Sequence, residues 1–144
     1  MEVRGVRVPD LLYGTAWKED ATEALVRAAL AAGFRGIDTA NQRKHYLEEG
    51  VGRALARGGV GRDDLFLQTK FTFRDGQDHR LPYDARASIA AQVAQSFDSS
   101  LAHLGVERLD SLVLHGPSRR DGLGQEDHEA WRAMESIADQ RRVS

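Results

Sequence analysis

The stretch GIDTANQRKHYLEEGVGRAL, residues 36–55, decides the fold. It opens as a short apolar strand, Gly36-Ile37, and breaks at once on an acid, Asp38. A polar turn then carries Tyr46 into the head of a helix that is apolar at Val51 and Leu55. A strand that runs on into a helix is the repeating unit of a parallel sheet, whose crossovers require such helices. An acid where the strand stops, with a phenol just past it, is also the start of a proton-handling site.

The same unit recurs on both sides. Upstream, residues 1–10 alternate weakly and suit a small ribbon, and Leu11-Leu12-Tyr13 reads as a short buried strand stopped by Gly14. Thr15-Ala16-Trp17 follow, and Asp20 is placed to cap the next helix, with Glu23 three residues on. That helix, 21–32, turns Leu25, Ala29 and Ala32 to one side and ends at Gly33. The central strand covers 36–39 and its helix 48–57, closed by Gly58-Gly59.

Downstream, Leu65-Phe66-Leu67 form a third strand ending at Thr69-Lys70, and a long connection, 71–83, holds Gly76 and Pro82. A helix over 84–104 sets Ile89, Val93, Phe97, Leu101 and Leu104 at helical spacing before Gly105. Residues 109–114 make a fourth strand, ended by His115-Gly116-Pro117. After a loop with Gly122 and Gly124 comes a helix over 125–140 with Trp131, Met134 and Ile137 on one side. Val143-Ser144 stand where a fifth strand would begin. Four strand–helix units imply an α/β fold, a parallel sheet with helices outside, in one domain spanning 1–144.

Composition narrows the class. A chain of 144 residues suits one domain with a real core. A net charge of −2 gives no polybasic field for nucleic acid or an anionic membrane. With no cysteine there are no disulfides and no thiolate metal sites. The opening MEVRGVRVPD lacks the apolar segment of a secretory leader, and the richest apolar stretch, ALVRAALAA, is broken by Arg27. The class expected is a soluble, cytoplasmic globular protein.

In parallel β/α architectures the catalytic groups gather at the carboxyl ends of the strands. Here those ends supply Thr15 and Trp17, then Asp38, then Lys70, then His115. Each has an ordinary reading of its own: an acid there is commonly a helix cap, a lysine is solvated, a histidine is structural. Four consecutive ends furnished this way point to a shared site. A tyrosine loses its proton near pH 10 when unperturbed, and an ammonium close by favours the phenolate. Lys70 is the candidate ammonium, fixed by an ion pair with Asp38, and a neutral His115 is the candidate donor to a substrate oxygen. Such a site suits protonation of a carbonyl oxygen as a hydride reaches its carbon.

On these residues the sequence resembles the aldo/keto reductases. The similarity rests on Gly14-Thr15-Ala16-Trp17, on IDTA at 37–40 with Tyr46 and Glu49 before Val51-Gly52, on RDDLFLQTK at 62–70, and on SLAHLGVERLD leading to LHGP at 114–117. The resemblance implies a TIM-barrel type fold and reversible reduction of an aldehyde or ketone by NADPH. It implies Asp38, Tyr46, Lys70 and His115 as the catalytic tetrad, with Tyr46 the general acid. Gly14, Thr15, Ala16 and Asp38 would line the cofactor, and Trp17, Tyr46 and His115 the small carbonyl substrate.

Two departures go with it. The turn from Asp38 to Tyr46 is a few residues longer than the family's usual one, with Tyr13 and Tyr83 the competing phenols. The family barrel has eight strands and about 250 residues, so a four-unit chain is expected to be an N-terminal half-barrel without the main phosphate grip. Two open edges and an apolar interior face then predict self-association.

Asp75, Asp78 and His79 have no firm scaffold, and no metal is expected there. Arg119 and Arg120 read as solvated loop. The connections 71–83 and 116–124 overhang the strand ends and are the natural source of substrate preference. The rival readings are a non-catalytic interaction or regulatory domain on the same scaffold, and an isomerase using Lys70 as a Schiff base.

Overall fold

The computed structural model describes residues 2–3, 5–140 and 143. A short ribbon, β1 (Glu2–Val3) against β2 (Val6–Arg7), precedes a four-stranded sheet. Its strands β3 (Leu12–Gly14), β4 (Gly36–Asp38), β5 (Phe66–Phe71) and β6 (Ser111–Leu114) lie side by side in chain order, every pair parallel. Between and after them run α1 (Thr22–Ala31), α2 (Glu48–Arg57), α3 (Ile89–Leu104) and α4 (Gln125–Asp139). This is the α/β arrangement the sequence predicts, and the consecutive order is that of a barrel wall.

The sheet has two unlike faces. Toward the helices point Ile37, Leu67 and Phe71, buried with Val26, Val51, Val93, Phe97 and Leu104 in one core. The other face holds Asp38, Gln68, Lys70 and Ser111, joined by side-chain hydrogen bonds across three strands. The period-two alternation of a strand separates the two sets. The middle of the interior face is therefore a polar ladder rather than the apolar surface expected from the sequence.

Helix boundaries differ from the sequence reading where local bonding competes. Asp20 does not cap α1; it sits in a 3-10 turn over Glu19–Ala21. Glu23 instead grips Arg53 and Arg57 of α2. The buried stripe of α1 is Thr22, Val26, Ala29 and Leu30, so Leu25 and Ala32 face outward. The rotation follows from α2, where Gly50 comes so close that a Cβ on it would lie 3.0 Å from Thr22 Cβ.

Helix α3 starts at Ile89, not Asp84, because the Ser88 hydroxyl accepts from Ala91 N and Asp84 accepts from Arg86 N in a turn of its own. In α4 the core position next to Met134 is Ala130, and Trp131 is 53% exposed. Leu109 lies outside β6 yet is buried, in a parallel bridge to Val143. That single bridge stands where the sequence expects a fifth strand; Ser144 lies outside the described residues, as do Met1 and Arg4 of the expected ribbon.

The tightest helix contact fixes the layer. A Cβ on Gly52 of α2 would run into the carbonyl oxygen of His103 and come within 3.1 Å of Leu104 Cα. Both are backbone atoms of α3 and cannot swing aside. Gly52→Ala is expected to cost about 1–3 kcal/mol through overpacking, read as a lower urea midpoint at unchanged slope; an unchanged midpoint would mean that the α2–α3 spacing is slack.

Candidate active site

The parallel register brings the strand ends together. Gly14 pairs with Asp38, Asp38 with Gln68, and Lys70 with Val113, so β3, β4, β5 and β6 deliver their last residues to one edge of the sheet. Thr15 N and Oγ1 both donate to the Asp38 carbonyl at 3.0 Å, locking β3 to β4 just beyond their ends. His115 N donates to Phe71 O at 2.9 Å and does the same for β5 and β6.

Lys70 reaches the acid. Its Nζ donates to the Asp38 carboxylate at 2.7 Å and to Thr39 O at 2.8 Å. The other Asp38 oxygen accepts from Gln68 Nε2 at 2.8 Å, and Ser111 Oγ donates to Gln68 Oε1 at 2.8 Å. The ion pair is largely shielded, with side-chain exposures of 12% for Lys70 and 21% for Asp38. Removing one member of such a pair leaves an uncompensated charge, at a cost approaching the roughly 3–5 kcal/mol seen for buried pairs.

Tyr46 lies over this pair, with the Lys70 Nζ 5.1 Å from the centre of its ring. The imidazole of His115 stands edge-on to the same ring, centroids 5.8 Å apart. Asp38, Lys70, Tyr46 and His115 therefore form one cluster despite the long turn. Tyr13 and Tyr83 are elsewhere: Tyr13 packs edge-on against Phe34, and Tyr83 donates its hydroxyl to Thr72 O at 2.8 Å.

The long turn is held from behind. Glu48, 3% exposed, accepts from Thr69 Oγ1 at 2.6 Å and Ser100 Oγ at 3.1 Å and faces His103 Nδ1 at 3.1 Å. Glu49 clasps Arg43, and Arg80 donates to the Arg43 carbonyl at 2.8 Å. The turn between Asp38 and Tyr46 is pinned at both ends.

The protonation pattern corrects one expectation. Burial, and next the negative charge of Asp38, raise the Tyr46 phenol above its ordinary value rather than lowering it. Lys70 is locked to Asp38, and the carboxylate's charge is the one that acts on the phenol, in the same direction as burial. His115 goes the other way: burial first, then the Lys70 ammonium, push its pKa below the ordinary histidine value, which keeps the ring neutral near pH 7.

The remaining sequence candidates divide. Gly14 is exposed, and a Cβ on it would meet no atom within 4 Å, so open space lies above this strand end beside Asp38. Thr15 is fully buried with its donors engaged, and Ala16 is half-buried. Trp17, 69% exposed, has φ +60 and stacks on His45 at 3.6 Å between centroids. That left-handed backbone is strained for a bulky residue. Trp17 N donates to His45 O at 2.8 Å, which holds the strained turn.

Sequence reading missed His45, Gln68, Thr72 and Ser111. Gln68 was within reach, because it stands two residues before Lys70 and must share its face. Asp78, weighed for a metal, is engaged by Arg80.

Residues 11–140 match the sequence profile of the Aldo/keto reductase family. The chain belongs to the aldo/keto reductase family. An aldo-keto reductase of Mycolicibacterium smegmatis is 36% identical over 141 residues, covering 96% of this chain and 45% of that protein. The crystal structure of an aldo/keto reductase from Brucella melitensis matches with TM-score 0.74 at 33% identity, over 96% of this chain and 48% of its own. That of the Bombyx mori aldo-keto reductase in complex with NADP matches with TM-score 0.72 at 25% identity, over 96% and 46%. The chain spans about half the length of the relatives it matches, and its sheet is half of an aldo/keto reductase barrel.

The electrostatic account of Tyr46 is testable in this half-barrel. Asp38→Asn removes the negative charge and frees the Lys70 field, so Tyr46 is expected to ionise at lower pH. Tyrosinate absorbance, with Tyr46→Phe as the blank, follows it. A rise or no change would refute the electrostatic account.

Proposed function

We propose that this chain carries the proton-transfer half of an NADPH-dependent reductase that converts aldehydes or ketones to alcohols. The observation that supports it most directly is the Lys70 ammonium set between the Asp38 carboxylate and the ring of Tyr46, with a neutral His115 at the ring's edge.

Tyr46 is the general acid. A phenol raised above its usual value is fully protonated at neutral pH, and an alkoxide forming on the substrate is a far stronger base than a phenolate. The proton passes from the Tyr46 oxygen to the former carbonyl oxygen. Lys70, a few ångströms from the ring, stabilises the phenolate left behind, and Asp38 keeps the ammonium in place. His115 donates a hydrogen bond to the carbonyl oxygen and aims it at the phenol. Trp17, stacked beside the site, supplies an apolar wall for the substrate.

The open space over Gly14, flanked by Asp38, fits a flat ring laid against bare backbone. Gly14, Ala16 and Asp38 would hold the nicotinamide end of the cofactor there, with the buried Thr15 fixing their spacing. NADPH, when bound, supplies the hydride. The Bombyx mori relative bound to NADP supports the choice of cofactor.

The test is oxidation of NADPH by the purified chain with a nitrobenzaldehyde, followed at the nicotinamide absorbance band. Turnover is expected, and Tyr46→Phe is expected to lower it about 10²–10⁴-fold with NADPH affinity little changed. If the chain shows no saturable NADPH binding, the non-catalytic reading of the scaffold takes its place. Borohydride trapping of a substrate adduct on Lys70 would instead favour Schiff-base chemistry.

A further inference from the structure

The connection after β5 does more than overhang the site. Its first residue, Thr72, is buried, and Thr72 Oγ1 lies 2.8 Å from His115 Nδ1. The Thr72 side chain has little freedom. A Cβ on Gly76 would come within 2.6 Å of Thr72 Cγ2, so the bare Gly76 backbone presses on the methyl group. The Thr72 carbonyl accepts from Tyr83 Oη at 2.8 Å and from Gln77 Nε2 at 3.4 Å. With methyl and carbonyl both fixed, the hydroxyl faces His115.

We infer that Thr72 sets the tautomer of His115, donating its hydroxyl hydrogen to Nδ1 and leaving the ring proton on Nε2 as the hydrogen offered to substrate. This rests on the reading of His115 as donor to the carbonyl oxygen. A neutral imidazole has one N–H, and the partner of one nitrogen decides which nitrogen carries it. Two arrangements satisfy the 2.8 Å contact. If Nδ1–H donated to Thr72, the Thr72 hydrogen would need another acceptor, and among the described residues Thr72 Oγ1 has no other hydrogen-bond partner. That hydrogen would be left unpaired at a nearly buried site. If the hydroxyl donates, the Thr72 hydrogen and Nδ1 are both paired, and the Nε2 hydrogen alone is left for substrate. The penalty for the unpaired hydroxyl corresponds to a preference of roughly tenfold or more for the second arrangement.

The ring is neutral, so the tautomer matters. Burial and Lys70 oppose its protonation, His45 adds to them, and Asp38 alone among the charges acting on it pulls the other way. Thr72 does not touch the reacting atoms; it is a positioning residue that acts through His115. The loop 71–83 is thereby linked to the chemistry as well as to substrate choice. Gly76, Gln77 and Tyr83 hold Thr72, and Thr72 holds the proton of His115.

The test is ¹⁵N NMR of the full chain labelled at histidine, with the His115 signals assigned by their loss in His115→Gln. At neutral pH the wild type is expected to show His115 Nδ1 in the unprotonated range and Nε2 in the protonated range, with the minor tautomer at about a tenth or less. Thr72→Val, which keeps the shape and loses the hydroxyl, is expected to move both shifts toward a mixture; Thr72→Ser restores the wild-type pattern.

A protonated Nδ1 in the wild type overturns the proposal. So does a Thr72→Val spectrum identical to wild type in a folded protein. Should Thr72→Val fail to fold, the wild-type and Thr72→Ser spectra still decide. The readout needs neither cofactor nor turnover. A chain that reduces no aldehyde therefore refutes the proposed activity while the spectrum still rules on Thr72. Where turnover is present, Thr72→Val is expected to lower kcat about tenfold or more, and Thr72→Ser to recover it.

Discussion

The site depends on one ion pair made across two strands. Lys70 on β5 and the Asp38 carboxylate at the end of β4 meet at 2.7 Å because parallel pairing puts Asp38 opposite Gln68, two residues before Lys70 on the same face. Everything near it is arranged to keep that contact. Gln68, itself oriented by Ser111, occupies one Asp38 oxygen, and the Thr39 carbonyl takes a second Lys70 hydrogen. Tyr46 is laid over the result. A partly buried charge pair is a poor source of net stability and a good source of fixed geometry. Here the fixed geometry is an ammonium at one set depth beneath a phenol.

The pair also explains why the phenol is not a ready-made phenolate. The carboxylate that holds the ammonium opposes ionisation of the ring, and desolvation, the larger effect, acts in the same direction. The same burial acts on His115 with the opposite consequence, because for a base it opposes the charged form. One environment thus yields a protonated phenol and a neutral imidazole, the two states in which each can donate a hydrogen.

Much of this was legible in the residues. The four parallel strands were, because each is a short apolar run closed by a polar residue. The cluster of Asp38, Lys70 and His115 followed from strand ends, and Tyr46 from its place at the head of α2. What was not legible is contact that crosses elements. The rotation of α1 is set by Gly50 of α2 nearing Thr22, and no spacing within α1 records that. Asp20 looked like a cap, but the chain tightened into a 3-10 turn before α1 began. The polar ladder was hidden because only register reveals that Gln68 of β5 and Ser111 of β6 bond to each other. Stacking of Trp17 on His45 has no local signature.

The loop that follows β5 is tied down far more than an overhanging segment requires. Gln77 donates to Asn41 O, Gln42 to Gly76 O, Asn41 to Ser96 O on α3, and Tyr83 to Thr72 O. Such bracing divides the segment for evolution. At the tip His79 is exposed, while Arg80 is tied to Asp78 and to the Arg43 carbonyl and Leu81 packs against the core. Replacements at its roots disturb the Thr72–His115 contact, and diversification is channelled into the few outermost positions that carry no such ties.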